Sequence, residues 1–123
     1  MENFAVIDLG SNSVRMTITR INDDGTYEPV KQMKSYVRLS ENMGEAHVLQ
    51  PAAIDRTLTA LQSFKDVYKG LDNLQIKAVA TAATRQAVNQ KKFLKTVTSQ
   101  IGIPLEVISG TTEAYYDYLG VSE

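Results

Sequence analysis

Two strand-like runs joined by a short polar bend constrain this chain more than any other feature. Phe4-Ala5-Val6-Ile7 is a compact apolar run, as expected of a buried strand. Val14, Met16 and Ile18 alternate with Arg15, Thr17 and Thr19, the period-2 pattern of a strand covered on one face. Between them, Ile7-Asp8-Leu9-Gly10-Ser11-Asn12-Ser13 turns several backbone N–H groups toward one point. Such a concavity suits a phosphate, because amide dipoles supply partial positive charge without bulk. Gly10 permits close approach of the backbone, and the Ser11 and Ser13 hydroxyls add donors. Asp8, near the end of the first strand, would face the same pocket and could hold a Mg²⁺ through water. The alternative is a β-hairpin with a polar turn whose Asp8 merely bonds nearby amides, and these residues alone leave both readings open. The bend opens no helix with Gly-x-Gly-x-x-Gly and lacks the lysine of a P-loop.

Size limits what can be built around that bend. The chain has 123 residues, enough for one domain (residues 1–123) with a single core. A net charge of -1 offers no global attraction for nucleic acid or an anionic membrane, so any polyanion site must be local. The absence of cysteine excludes disulfides and thiolate chemistry and fits a cytoplasmic location. Glu2 and the lack of a long apolar run argue against a signal peptide. No stretch approaches the roughly 20 apolar residues of a membrane helix.

Further along, Asn22-Asp23-Asp24-Gly25 is a hairpin turn, and a third strand is predicted over Tyr27–Leu39 with Pro29 marking an edge. Its Lys31, Lys34 and Arg38 read as a solvated edge, except that Arg38 lies at the far end beside a loop. The polar loop from Ser40 to Gln50 holds the lone histidine, His47, which has no partner in the pattern and reads as a surface residue. Pro51 then opens a helix with Ile54, Leu58, Leu61, Phe64 and Tyr68 as its apolar stripe, stopped at Gly70. Leu74–Thr81 is a strand that becomes small and apolar, followed by Thr81-Ala82-Ala83-Thr84-Arg85 as a strand-to-helix turn. A cation near a helix start runs against the macrodipole, so Arg85 is either bonded to a local carboxylate or set beside an anion site. Phe93, Leu94, Val97 and Ile101 mark the next helix, ended by Gly102 and Pro104. A short strand over Leu105–Ile108 leads to Ser109-Gly110-Thr111-Thr112-Glu113-Ala114, the opening of a last helix. Glu113 there is either a first-turn stabiliser or a carboxylate kept ionised to orient or deprotonate a water. The order is β-β-β-α-β-α-β-α: a meander, then strands that arrive through helical crossovers and lie parallel to the first, in a five-stranded mixed α/β sheet.

That order, with Asp8-Leu9-Gly10-Ser11-Asn12-Ser13 at its start, resembles the ribonuclease H-like lobe of the actin/hexokinase/Hsp70 ATPase superfamily. More narrowly, it resembles the N-terminal lobe of the exopolyphosphatase/guanosine pentaphosphate phosphohydrolase (Ppx/GppA) family. Three segments carry the resemblance: Ile7–Ser13 followed by Arg15-Met16, Ala80-Thr81-Ala82-Ala83-Thr84-Arg85-Gln86-Ala87-Val88-Asn89, and Ile108-Ser109-Gly110-Thr111-Thr112-Glu113-Ala114. Position by position, the resemblance places the phosphate loop on Gly10, Ser11, Asn12 and Ser13, a phosphate-binding arginine on Arg85 and the catalytic glutamate on Glu113. It also sets an acid near the metal at Asp8 and a basic residue near the cleft at Arg38. The second acid that often precedes the glutamate is Thr112 here, a change in local charge.

The implied reaction is Mg²⁺-assisted hydrolysis of a terminal phosphoryl group from inorganic polyphosphate or guanosine pentaphosphate. Such a reaction asks mainly for positioning and charge neutralisation. Family members place it in a cleft between two lobes, and the second lobe, with its Asp-x-Gly-Gly-Gly-Ser-type loop, is absent from this sequence. The expectation is therefore a lobe that hydrolyses little on its own and pairs through its uncovered face as a homodimer. Two other readings are a sugar- or acetate-kinase-like ATP-binding lobe and a non-enzymatic polyphosphate-binding module.

Overall fold

In a computed structural model, residues 1–109 can be described, and residues 110–123 lie outside the description. The elements run β1 (Glu2–Leu9), β2 (Val14–Ile21), β3 (Tyr27–Ser35), α1 (Pro51–Tyr68), β4 (Leu74–Ala80), α2 (Ala82–Gln86), α3 (Gln90–Ile101) and β5 (Leu105–Val107). They form a five-stranded sheet in the order β3-β2-β1-β4-β5. The β1–β2 and β2–β3 pairs are antiparallel, and β1–β4 and β4–β5 are parallel, so the sheet is mixed as expected. The β2–β3 turn closes through Gly25, whose φ of 86° is a left-handed conformation that glycine adopts without strain.

Strand alternation decides which face is covered. Ala5, Ile7 and Leu9 of β1, Val14, Met16 and Ile18 of β2, and Ala78 and Ala80 of β4 are buried together with Leu61 and Phe64 of α1 and Phe93, Val97 and Ile101 of α3. Burying one such side chain contributes about 1.5–3 kcal/mol, so this layer dominates the stability of the lobe. The stripe on α1 differs from the expected one: Ala53, Thr57 and Ala60 are buried with Leu61, Phe64 and Tyr68, while Ile54 and Leu58 are only partly covered. Small residues on the inner side let the helix sit close to the sheet, which rotates the bulky pair to its flank.

Three boundaries depart from expectation. Strand β3 stops at Ser35 rather than Leu39, because Arg38 adopts a left-handed φ of 47° and the chain leaves β2 to follow the β1–β2 bend. The register shifts between Ile18 and Thr19, with Lys31 and Pro29 as their partners and Val30 as the extra residue. Pro29 thus sits at a bulge on an edge strand, where its missing N–H does no harm. The crossover after β4 is two helices, not one. Gln90 Nε2 donates to the Thr84 and Arg85 carbonyls that end α2, and Ala87 is extended. The break frees the Asn89 side chain to accept from Leu49 N–H (3.0 Å) and donate to Leu49 C=O (3.1 Å). Among the described residues, no helix is long and apolar enough to cross a membrane.

Candidate functional site

The parallel strands β1, β4 and β5 all end at the same edge of the sheet, at Leu9, Ala80 and Val107. In open α/β sheets that edge is where ligands bind. Hydrogen bonds lace the three chain ends together. The Leu9 carbonyl accepts from the Thr81 N–H at 3.0 Å and from the Thr81 hydroxyl at 3.3 Å. The Ala80 carbonyl accepts from the Ile108 N–H at 3.0 Å. Arg85 Nη1 donates to the Ile108 carbonyl at 2.8 Å, so the guanidinium bridges the end of α2 and the segment after β5.

Gly10, Ser11, Asn12 and Ser13 form the bend at this rim. It is closed by Gly10 N–H donating to Ser13 C=O at 2.9 Å. A Cβ on Gly10 would lie 3.3 Å from that carbonyl and 3.9 Å from Thr81 Oγ1, so the glycine here answers a close approach of backbone. The Ser11 carbonyl accepts from Ser40 N–H (3.0 Å) and the Asn12 carbonyl from Arg38 N–H (2.9 Å). In a trans peptide the N–H opposes the C=O, so these bonds turn the Asn12 and Ser13 N–H groups away from the 38–40 segment. The bend is thus closed on itself as a hairpin turn is, and is tied in addition to the 38–40 segment through the Ser11 and Asn12 carbonyls.

Asp8 stands opposite Arg15 on β2 and Val79 on β4, and strand alternation puts it on the face away from Ile7 and Leu9. Among the described residues no group of three or more His, Cys, Asp or Glu side chains is assembled to hold a metal. The donor set therefore does not make an all-protein cage. A single carboxylate does fit Mg²⁺, which keeps several waters and takes its remaining oxygens from substrate phosphates.

Arg38 is brought to the rim by its backbone, and its side chain pairs with Glu41 at 3.5 Å. Arg85 is the fourth residue of the five-residue α2, half-buried. Glu113 lies outside the described residues. His47 is exposed, and its carbonyl accepts from Val88 N–H at 2.8 Å, a structural use of its backbone. Sequence reasoning passed over Arg56, whose guanidinium bonds Val37 C=O at 2.8 Å. It read Lys34 as part of a solvated edge but not its neighbours on the open face of β2 and β3, where Arg15 stands opposite Lys34 in register. There the Lys34 ammonium lies 4.6 Å from the centre of the Tyr36 ring. Hydrogen bonding to Lys34 and its charge, with a smaller effect from Arg15, pull the Tyr36 hydroxyl below the usual phenol value. Alternating charge on a β-ribbon was the available signal for this cluster, and it reads equally well as an edge guard.

Residues 17–123 match the Ppx/GppA phosphatase family. The chain belongs to that family. A curated Haemophilus influenzae relative named "Putative exopolyphosphatase" is 36% identical over 121 residues, covering 98% of this chain and 37% of the relative. The crystal structure of the Aquifex aeolicus Ppx/GppA family member superposes with a TM-score of 0.89 at 35% identity, covering 98% of this chain and 39% of that one. A Cytophaga hutchinsonii exopolyphosphatase superposes at 0.86 with 27% identity, over 93% of this chain and 36% of that one. The chain thus spans well under half the length of these Ppx/GppA relatives. Its fold is that of these Ppx/GppA structures, with the five-stranded mixed sheet that the element order implied.

Proposed function

We propose that this lobe forms one wall of an exopolyphosphatase-type active site, which releases the terminal phosphate of inorganic polyphosphate or guanosine pentaphosphate. The observation that carries the reading is the convergence of the Gly10–Ser13 cradle, Thr81 and Arg85 on one sheet edge, tied through the Leu9 and Ile108 carbonyls. The loop amides and the Ser11 and Ser13 hydroxyls hold the non-bridging oxygens of the terminal phosphoryl group, and Arg85 neutralises charge as it builds there. Glu113 orients the attacking water and takes its proton as the anhydride P–O bond breaks. Asp8 would hold Mg²⁺ through water, and the ion, when bound, supplies charge neutralisation on the phosphate oxygens.

One wall cannot enclose the transition state, so a second lobe opposite this rim completes the site, and the 123-residue chain alone turns over little substrate. In this reading the lobe also self-associates as a homodimer, which sedimentation at high concentration tests. The reading is tested by titrating the isotopically labelled chain with pyrophosphate while following amide shifts. Saturable shifts at Ser11, Asn12, Ser13 and Arg85 are expected. Shifts confined to surface lysines, or none, would refute it, as would robust hydrolysis of long-chain polyphosphate by the chain alone for the two-lobe requirement.

A further inference from the structure

The segment between β3 and α1 grips the cradle from the side, and one side chain on α1 holds that segment in place. Its Val37 and Leu39 side chains are buried at 1% and 0% exposure, so it is anchored in the core on one side. On the other side, Arg38 N–H and Ser40 N–H carry the Asn12 and Ser11 carbonyls. Arg38 itself has a φ of 47°, which a non-glycine residue keeps only where its surroundings impose it. Arg56 imposes it. Its Nε donates to Val37 C=O at 2.8 Å, and its Nη2 donates to Arg38 C=O at 3.2 Å and to Glu41 Oε1 at 3.0 Å. The carbonyls on both sides of the left-handed residue are therefore held by one planar guanidinium, a task its rigid fork suits. The other Glu41 oxygen lies 3.5 Å from Arg38 Nε, so one carboxylate is shared between two guanidinium groups.

The geometry points to Arg56 as a positioning residue for the anion cradle. It locks residues 37–41, and their amides hold the Ser11 and Asn12 carbonyls so that the Asn12 and Ser13 N–H groups face the ligand. Glu41 completes the device by occupying the Arg38 side chain until an incoming phosphate competes for it. The inference rests on the reading of Gly10–Ser13 as a phosphate cradle. It predicts opposite effects for two neighbouring substitutions, which a merely structural contribution of the cluster would not produce.

The test compares the wild-type chain with R56M, R56K and E41Q by amide hydrogen exchange and by pyrophosphate titration. In R56M, exchange at the Arg38 and Ser40 amides should rise about tenfold while the paired core residues Ile7 and Met16 keep their protection. Pyrophosphate affinity should fall about tenfold with it, as the loop amides lose their common orientation. E41Q should leave that exchange unchanged and tighten pyrophosphate binding about threefold at low salt, by freeing Arg38. R56K keeps the charge without the fork, so its Arg38 and Ser40 amides should also exchange faster; it carries the test if R56M loses core protection. Unchanged exchange at Arg38 and Ser40 in both Arg56 variants overturns the proposal, as does E41Q weakening binding in step with R56M. If the wild-type chain gives no loop shifts with pyrophosphate, the cradle reading fails, and the exchange comparison alone decides whether Arg56 holds the segment.

Discussion

Thr81 caps the Leu9 carbonyl twice, by its N–H at 3.0 Å and by its hydroxyl at 3.3 Å, although the two residues lie 72 positions apart. Thr81 is buried, and Gly10, the residue after Leu9, packs 3.9 Å from its Oγ1 when a Cβ is imagined there. Strand β4 is thereby pinned to the start of the cradle at the point where β1 ends.

Thr81→Val keeps the shape and the N–H bond but removes the hydroxyl. The Leu9 carbonyl retains one partner, so the expected loss is about 1 kcal/mol in urea unfolding. Thr81→Ser should recover most of it. Equal stability of the valine and threonine proteins would show that the hydroxyl contributes nothing to the pin.

Arg85→Met should cost about a hundredfold in kcat/KM for polyphosphate when assayed in a protein that carries both walls of the cleft, the usual scale for a donor aimed at developing charge. The bond from Nη1 to the Ile108 carbonyl disappears too, so thermal unfolding should be measured alongside. Arg85→Lys should recover charge but not the bridge, leaving activity between the two. A methionine variant with wild-type kcat/KM would remove Arg85 from the reaction.

Asn89 replaces a backbone partner for Leu49 on both sides of that residue, with bonds of 3.0 and 3.1 Å. Leu49 is 1% exposed, so its amide groups have little access to water once the side chain is gone. Asn89→Ala should destabilise by about 2 kcal/mol, two hydrogen bonds at the ordinary value. Asn89→Asp can still accept but no longer donate, and should fall between. Chemical denaturation with an unchanged slope checks both.

Alkaline titration should split two of the six tyrosines to opposite sides of the ordinary phenol value of 10.0. Tyr36 ionises early, because its hydrogen bond to Lys34 and that residue's charge favour phenolate. Tyr68 ionises late, because burial disfavours its charged form. The stability contribution of Tyr68 is complete below its unfolded value and is lost as the pH rises through its higher folded value. That of Tyr36 is present above the unfolded value and is lost as the pH falls through its lower folded one. Ultraviolet titration of the wild-type, Tyr36→Phe and Tyr68→Phe proteins assigns the two steps, and a reversed order would contradict both causes.

The strands were legible in the sequence because alternation at Val14, Met16 and Ile18 and the apolar run from Phe4 to Ile7 report burial directly. The bend was legible, with an amide concavity and a polar hairpin turn both open as its reading, but its ties to residues 38–40 were not. Its amide orientation is imposed by Arg38 and Ser40, which lie far from it in sequence and join it only through backbone bonds that no side-chain pattern encodes. For the same reason β3 was expected to continue to Leu39: burial of Val37 and Leu39 keeps a strand's alternation after the chain has left the sheet. The stripe on α1 was read from its largest residues, whereas alanines at 53 and 60 set how closely the helix approaches. The α2–α3 break carries neither Gly nor Pro. It coincides with Asn89 bonding Leu49 across 40 positions, a tertiary contact that local propensity does not contain.

Strand β5 is three residues long, whereas β1, which delivers the cradle, has eight and is paired on both sides. The two sides of the proposed anion site therefore differ in compliance. The amide side is cast into the stiffest part of the sheet, while the guanidinium side is moored through Ile108 to a short outermost strip that breathes more readily. A ligand gripped between them tightens the weak margin first, so its arrival should be felt as stiffening along β5 before any change at β1.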